Sequence, residues 1–345
     1  MSSDFSKVVG RLIAREPPTG PEVRAAFDAI LAGSWTPVQV GAFAVALRIC
    51  GESAESIVAA AESMRAAMTV VVHDLPVVVD TCGTGGDGAH TLNLSSAAAL
   101  VVAACGLPVA KHGNRSVSSR CGSADVFEAM GIPLDIPPAR QGDVLRQAGI
   151  AFLFAPAHHG ALKHAGQARR ELGVRTIFNA LGPLSNPARA THQLLGVYDD
   201  ALRPIAARAL GRLGTKRAWV VRGEDGLDEV SPCAPTRVSE LADGEVREFV
   251  VAPEDFGLSR LLPSAIGGGD AAANARAVEE LLAGADHPAR DAVILNAAAA
   301  LAVATGESPR ACAEKARRAL DTKAAQAAFD RWRTVARRVR AEVAT

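Results

Sequence analysis

The sequence predicts an α/β protein in which a large domain, built on a mostly parallel central sheet with flanking helices, follows a smaller α-helical domain. Two patterns predict it. From residue 77 onward, short apolar or β-branched runs alternate with helix-length segments, the order produced by parallel strands whose crossover helices cover both sheet faces. Over residues 1–72 every periodic segment is helical, and none reads as a strand. A third feature, the run Gly83-Thr84-Gly85-Gly86-Asp87-Gly88 between the first strand and the next helix, marks where such a fold can hold an anion.

The helical domain, residues 1–72, carries start signals at Thr36-Pro37 and at Ser53, where a cap residue precedes a good helix former. The α/β domain, residues 73–345, opens with a strand over 77–80, a helix over 95–105 and a second strand over 109–111. Ser123 is placed to cap a helix running to Met130, Pro137-Pro138 opens another, and 150–154 is a third strand. Residues 159–172 read as helix; the turn-rich stretch 175–187 can return the chain to the helical domain, so the segment around 170–190 is expected to pack there. A helix over 202–213 leads to a strand over 217–221, and 236–241 and 245–251 form a hairpin about Asp243-Gly244. Asp270 caps the first of several alanine-rich helices that run to the end.

A chain of 345 residues can bury a substantial core. Its 37 basic and 37 acidic side chains cancel, which gives no support to a nucleic-acid or membrane-surface role for the whole protein. The six cysteines are scattered, with no C-x-x-C pair and no metal-ligand spacing, as expected of reduced thiols in a cytoplasmic protein. The first residues, M-S-S-D-F-S-K, lack the basic start and apolar core of a signal peptide, and the apolar runs 97–105 and 297–304 are too short to cross a bilayer.

Gly83-x-Gly85-x-x-Gly88 has the form of a dinucleotide fingerprint. A dinucleotide site, however, wants an acidic residue at the end of the second strand for the ribose hydroxyls. Here that place holds Lys111-His112-Gly113-Asn114-Arg115, so the pattern favours a ligand with several phosphates. Thr91, Asn93, Ser95 and Ser96 bring small donors to the start of the following helix, where backbone N–H groups and the helix dipole also favour negative charge. Asp228-Glu229 lies on a glycine-flanked loop; it is either a solvated acidic pair or, beside a bound polyphosphate, a pair of magnesium ligands. His159 and His164 stand five residues apart, outside the chelating spacing of zinc helices. Arg169-Arg170 is either surface charge or, if aimed into a cleft, a fork for a substrate carboxylate.

Taken in order, G-T-G-G-D-G, N-L-S-S, K-H-G-N-R-S-V-S-S, G-S-A-D, L-G-V-R-T-I-F-N-A-L-G-P-L-S-N-P and D-G-L-D-E-V resemble the anthranilate phosphoribosyltransferases over nearly the whole chain. The resemblance implies a small helical domain hinged to the large α/β domain, dimerisation through the helical domains, and transfer of a 5-phosphoribosyl group from phosphoribosyl pyrophosphate (PRPP) to anthranilate. It also implies that Gly83, Gly86, Asp87, Thr91, Asn93, Leu94, Ser95, Ser96, Lys111, His112, Gly113, Asn114, Arg115, Ser116, Val117, Ser118, Ser119 and Ser123 hold PRPP. Anthranilate would meet Gly83, His112, Asn114, His159 and Arg169, and Ser95, Asp228 and Glu229 would bind magnesium, two ions to a site. Lys111, Arg115 and Arg169 would act by charge and orientation, with no general base assigned. Leu92, Ser96 and Gly160 stand where the family commonly has Phe, Thr and Pro. Two other readings are a pyrimidine nucleoside phosphorylase, which needs neither magnesium nor so long a polar loop, and a non-catalytic nucleic-acid-binding relative, which should be basic and lack the metal pair.

Overall fold

The computed structural model describes residues 5–116 and 120–344. Four helices come first: α1 (Phe5–Ile13), α2 (Gly20–Leu31), α3 (Pro37–Cys50) and α4 (Ala54–Ala67). The Thr36 side chain accepts from the Gln39 N–H, and Gln39 reaches back to the Thr36 N–H, closing a capping box with Pro37 in the first turn. Ser53 caps α4 through the Ser56 N–H. Each cap satisfies an N–H that the helix itself leaves unpaired.

The sheet holds β1 (Val79–Gly83), β2 (Val109–Gly113), β3 (Ile150–Phe154), β4 (His192–Gly196), β5 (Arg217–Gly223), β6 (Thr236–Ala242) and β7 (Glu245–Val251), in the order β3-β2-β1-β4-β5-β6-β7. The pairs from β3 through β5 are parallel, and β5-β6-β7 are antiparallel. Asp243 and Gly244 both take positive φ, 51° and 80°, as a tight two-residue hairpin requires. The helices in between are α5 (Leu94–Ala104), α6 (Ser123–Ala129), α7 (Pro138–Ala148), α8 (Ala155–His158), α9 (Lys163–Leu172), α10 (Ile177–Leu181) and α11 (Leu202–Arg212). After the hairpin come α12 (Ala271–Leu282), capped by Asp270, then α13 (Arg290–Thr305), α14 (Pro309–Asp321) and α15 (Ala324–Ala344).

Strand alternation divides the core in two. Val79, Leu194, Trp219 and Val221 face the packing of α5, α7 and α12–α15, whereas Cys82, Leu195, Ala218 and Val220 face α11, α10 and the first four helices. The stretch around Ile177–Leu181 joins the second core, together with residues of the first four helices.

Three local expectations are corrected. The sequence reading has no strand at His192–Gly196, yet β4 lies at the centre of the sheet; its polar Gln193 is buried because Nε2 donates to the Pro183 carbonyl and to Cys82 Sγ. The helix expected over 159–172 starts later as an α-helix: α8 ends before this range, and a single 3₁₀ turn at Gly160–Leu162 precedes α9. The cap of α6 is Gly122 rather than Ser123, and the Asp125 carboxylate receives both the Gly122 and Ser116 N–H groups.

Candidate active site

From β1 the chain passes to β2 and β3 on one side of the sheet, while β4, on the other side of β1, leads on to β5. The crevice outside the carboxyl ends of β1 and β4 is therefore a topological switch point, the usual ligand position in open α/β sheets. The glycine loop leaves β1 there, Lys111 lies on β2, and Asp228-Glu229 follows β5.

Two glycines make this convergence sterically possible. Gly83 and Gly196 are register partners at the ends of β1 and β4. A Cβ on Gly196 would collide with the Asp228 backbone carbonyl, and one on Gly83 with the Asp228 carboxylate. The Gly85 N–H donates to Asp228 Oδ2 at 2.7 Å, and the Ser95 N–H, in the first turn of α5, donates to a Glu229 carboxylate oxygen at 3.2 Å. One carboxylate thus meets the glycine loop and the other the helix N-terminus.

The charges are crowded. Burial raises Asp228 well above the usual carboxylate range, and repulsion from Glu229 and then Asp87 adds to it. Burial pushes Glu229 up to about 7 against the attraction of Lys111. Lys111 is itself buried, and its Nζ donates to the Thr81 carbonyl and, at 3.3 Å, to Ser95 Oγ. Desolvation lowers its pKa although Asp80, Glu229 and Asp228 oppose the shift. Among the described residues no three His, Cys, Asp or Glu side chains form a closed metal cage. Two mutually repelling carboxylates beside a serine are instead the donor set that suits Mg²⁺ when phosphate oxygens and water complete its shell.

Beneath the site Asp80, fully buried, accepts from Asn186 Nδ2 at 2.7 Å and from the His112 N–H at 3.2 Å. His112 Nδ1 lies 3.1 Å from the Gly182 carbonyl, which can only accept, so Nδ1 carries a proton and Nε2 is left as acceptor. It faces His159 Nε2 at 3.2 Å. Burial drives both imidazoles down, His159 to about 4 and His112 well below its ordinary value, so the pair is neutral near pH 7. The structure therefore brings together two histidines 47 residues apart.

The other expected residues are placed as follows. Arg115 pairs with Asp125 and with both carboxylate oxygens of Glu128, at 2.8–2.9 Å. Ser123 Oγ and the Ala124 N–H meet the Asn114 carbonyl, and Gly113 leaves room for Ser123 Oγ. Leu94 points into the core, so only its backbone faces the loop; Ser96 Oγ is buried with no hydrogen-bond partner among the described residues. Asp87 accepts from the Ala89 N–H, which tightens the loop. Thr91 bridges to Gly267, and Asn93 accepts from Asn274 Nδ2 at 2.8 Å. Arg169 sits over the Phe178 ring, 5.7 Å from its centroid, with no carboxylate partner among the described residues, and burial lowers its pKa. Val117, Ser118 and Ser119 lie outside the described residues.

Sequence reasoning missed Asn186, which fixes Asp80, and the 267–269 glycine run with Asn274, which clamps the loop from α12. It also missed Arg175, whose guanidinium lies against Gly86. A signal was present in the N-A-L-G-P-L-S-N-P and I-G-G-G-D stretches, but it specified turns and not their partners.

Comparison with known proteins agrees with this geometry. Residues 75–326 match the model of the glycosyl transferase family a/b domain, and residues 6–68 its helical bundle domain. The anthranilate phosphoribosyltransferase of Myxococcus xanthus (strain DK1622) is 50% identical over 324 residues, 93% of this chain and 96% of that protein. That of Symbiobacterium thermophilum is 50% identical over 327 residues, covering 94% and 96%. The crystal structure of anthranilate phosphoribosyltransferase from Thermus thermophilus superposes with a TM-score of 0.91 at 40% identity, over 98% of this chain and all of that one. The Saccharomyces cerevisiae enzyme in complex with PRPP and Mg superposes with a TM-score of 0.90 at 27% identity, covering 97% and 98%. Fold, site and sequence together place the chain in the anthranilate phosphoribosyltransferase family of glycosyl transferases.

Proposed function

We propose that the protein transfers the 5-phosphoribosyl group of PRPP to the amino group of anthranilate, the transfer that serves tryptophan biosynthesis, and releases pyrophosphate. The observation that carries this reading is the meeting of the glycine loop, Lys111 and Asp228-Glu229 at one switch point. The anomeric carbon–oxygen bond breaks, a carbon–nitrogen bond forms on the amine, and the amine loses one proton. Bound magnesium would neutralise charge on the leaving pyrophosphate. Ser95, Asp228 and Glu229 would hold it, in two ions to a site. The loop N–H groups, with Thr91, Asn93 and Ser95, would grip the phosphates, and the 111–119 segment with Ser123 would hold the rest of PRPP. Arg169 and Asn114 would orient anthranilate beside the neutral His112–His159 pair, and its unprotonated aromatic amine needs no strong base. The helical body through residue 72, with the segment around 170–190, would close on the 73–345 body and exclude water that could hydrolyse the activated sugar. Mass spectrometry of a mixture of protein, PRPP, anthranilate and Mg²⁺ should show phosphoribosyl-anthranilate; phosphorolysis of thymidine in its place would indicate a nucleoside phosphorylase.

Arg169→Ala should raise KM for anthranilate by about 10- to 100-fold, the loss of a charge-assisted bidentate contact, and leave PRPP binding near wild type. Equal losses for both substrates, measured by steady-state kinetics and calorimetry, would assign Arg169 a packing role on Phe178.

Glu229 gives a pH-dependent effect. Its folded pKa of about 7 lies above the ordinary value of 4.5, so its favourable contribution to stability is complete below 4.5 and is lost as pH rises through 7. Magnesium needs the ionised carboxylates and competes with that proton. Added Mg²⁺ should therefore raise Tm more at pH 8 than at pH 6. Equal shifts at the two pH values, read by calorimetry, would count against the pair as metal ligands.

Two copies are proposed to pair through the helical body. A shallow apolar groove of about 530 Å³ between α3 and α9, with Val38 and Ile49 at 81% and 67% exposure, supports this. Light scattering should give twice the chain mass, and Val38→Asp with Ile49→Asp should give a monomer; a monomeric wild type would end this reading. No helix among the described residues is long and apolar enough to cross a membrane, and Cys50, Cys82, Cys105, Cys233 and Cys312 form no disulfide. The cytoplasm is the proposed compartment, which cell fractionation would check.

A further inference from the structure

Two of the three cations expected from sequence to act by charge and orientation are already engaged inside the protein. Arg115 is held by Asp125 and by both oxygens of Glu128. Lys111 directs its buried ammonium at the Thr81 carbonyl and Ser95 Oγ and compensates Asp80 and the Asp228-Glu229 pair. The phosphate-binding loop thus faces a shortage of uncommitted positive charge on its own side of the site.

Arg175 is differently placed. It lies in the short connection between α9 and α10, and its guanidinium rests against the backbone of Gly86, where a Cβ would overlap it. Gly86 has φ of 77° and no side chain, so the loop turns beneath the guanidinium without a clash. The guanidinium also lies over the Tyr198 ring, 4.3 Å from its centroid, two residues past β4. Tyr198 is fixed in turn by its backbone N–H, which donates to Thr84 Oγ1 at 2.9 Å. Among the described residues no carboxylate or carbonyl accepts from Arg175. A cation held against an aromatic ring and a glycine loop, with no carboxylate or carbonyl acceptor among the described residues, is preorganised for a bidentate anion contact.

We infer that Arg175 is a further donor-binding residue, which contacts the pyrophosphate group of PRPP carried on the 83–88 loop. The inference rests on the phosphoribosyl-transfer reading of the same site. It also ties the loop to the connection that follows α9, the helix that carries Arg169, so acceptor and donor residues would move together.

The test is calorimetric titration of the full-length protein with inorganic pyrophosphate and Mg²⁺, together with steady-state kinetics, on wild type, Arg175→Gln, Arg175→Lys and Tyr198→Leu. R175Q should weaken pyrophosphate binding and raise KM for PRPP by about 10- to 100-fold, with KM for anthranilate unchanged. R175K keeps the charge but not the fork and should fall between R175Q and wild type, and Y198L should give a smaller loss of the same kind. If R175Q fails to fold, R175K and Y198L carry the same comparison. Wild-type pyrophosphate affinity in the folded variants, or equal losses for both substrates, would overturn the inference while leaving the transferase reading intact. A wild-type protein that neither binds pyrophosphate nor turns over would instead overturn that reading.

Discussion

Asp228→Asn combined with Glu229→Gln should reduce kcat/KM by about 10³-fold or more and abolish the dependence of PRPP binding on magnesium. The amides keep the shape of the loop, including an acceptor for the Gly85 and Ser95 N–H groups. What they remove is negative charge, in a place where burial holds both carboxyls above their ordinary range and Glu229 adds repulsion at Asp228. An unliganded protein that crowds these charges is electrostatically incomplete, and a divalent cation completes it. Removing one well-placed group that stabilises transition-state charge costs about 10²–10³ in rate, and here both anchors of the cation are lost. The double variant should also be more stable than wild type above pH 7 in the absence of metal, because the repulsion is gone. Unchanged magnesium dependence in a titration of PRPP binding would return the pair to the status of a solvated acidic loop.

Lys111→Met should destabilise the fold by about 3–5 kcal/mol, the usual cost of breaking one side of a buried charge cluster. The substitution preserves much of the side-chain volume but leaves Asp80 without its cation. It also strips a donor from the Thr81 carbonyl and Ser95 Oγ. Asp80 keeps Asn186 and the His112 N–H, so part of the loss is recoverable by protonation. Adding Asp80→Asn to Lys111→Met should therefore cost less than the sum of the two single changes. Urea denaturation of the four proteins checks this; strict additivity would mean that the two side chains do not share an environment.

Much of the scaffold was legible because its signals are local. Thr36-Pro37, Ser53 and Asp270 act as caps in the way their neighbours dictate, and Asp243-Gly244 makes the hairpin turn its two positive φ angles demand. β4 escaped because His192 and Gln193 make a central strand look polar, and the groups that satisfy Gln193 come from Cys82 and Pro183. The same limit applies to the candidate site. The glycine loop and the Asp228-Glu229 pair show themselves as runs of residue types. That Arg115 is neutralised by the following helix, that Asn186 holds Asp80, and that Arg175 lies on Gly86 are facts of packing. No spacing rule brings residue 175 to residue 86.

The central claim is that the 80–125 stretch is the donor half of a two-substrate site completed by Asp228, Glu229 and Arg169. Anthranilate fluorescence, followed after mixing the full-length protein with PRPP and Mg²⁺, tests it most directly. The account predicts a progressive loss of signal that requires protein, PRPP and metal together, stops on addition of a chelator and is matched by pyrophosphate release. A steady signal from folded protein that binds neither PRPP nor anthranilate by calorimetry would contradict it.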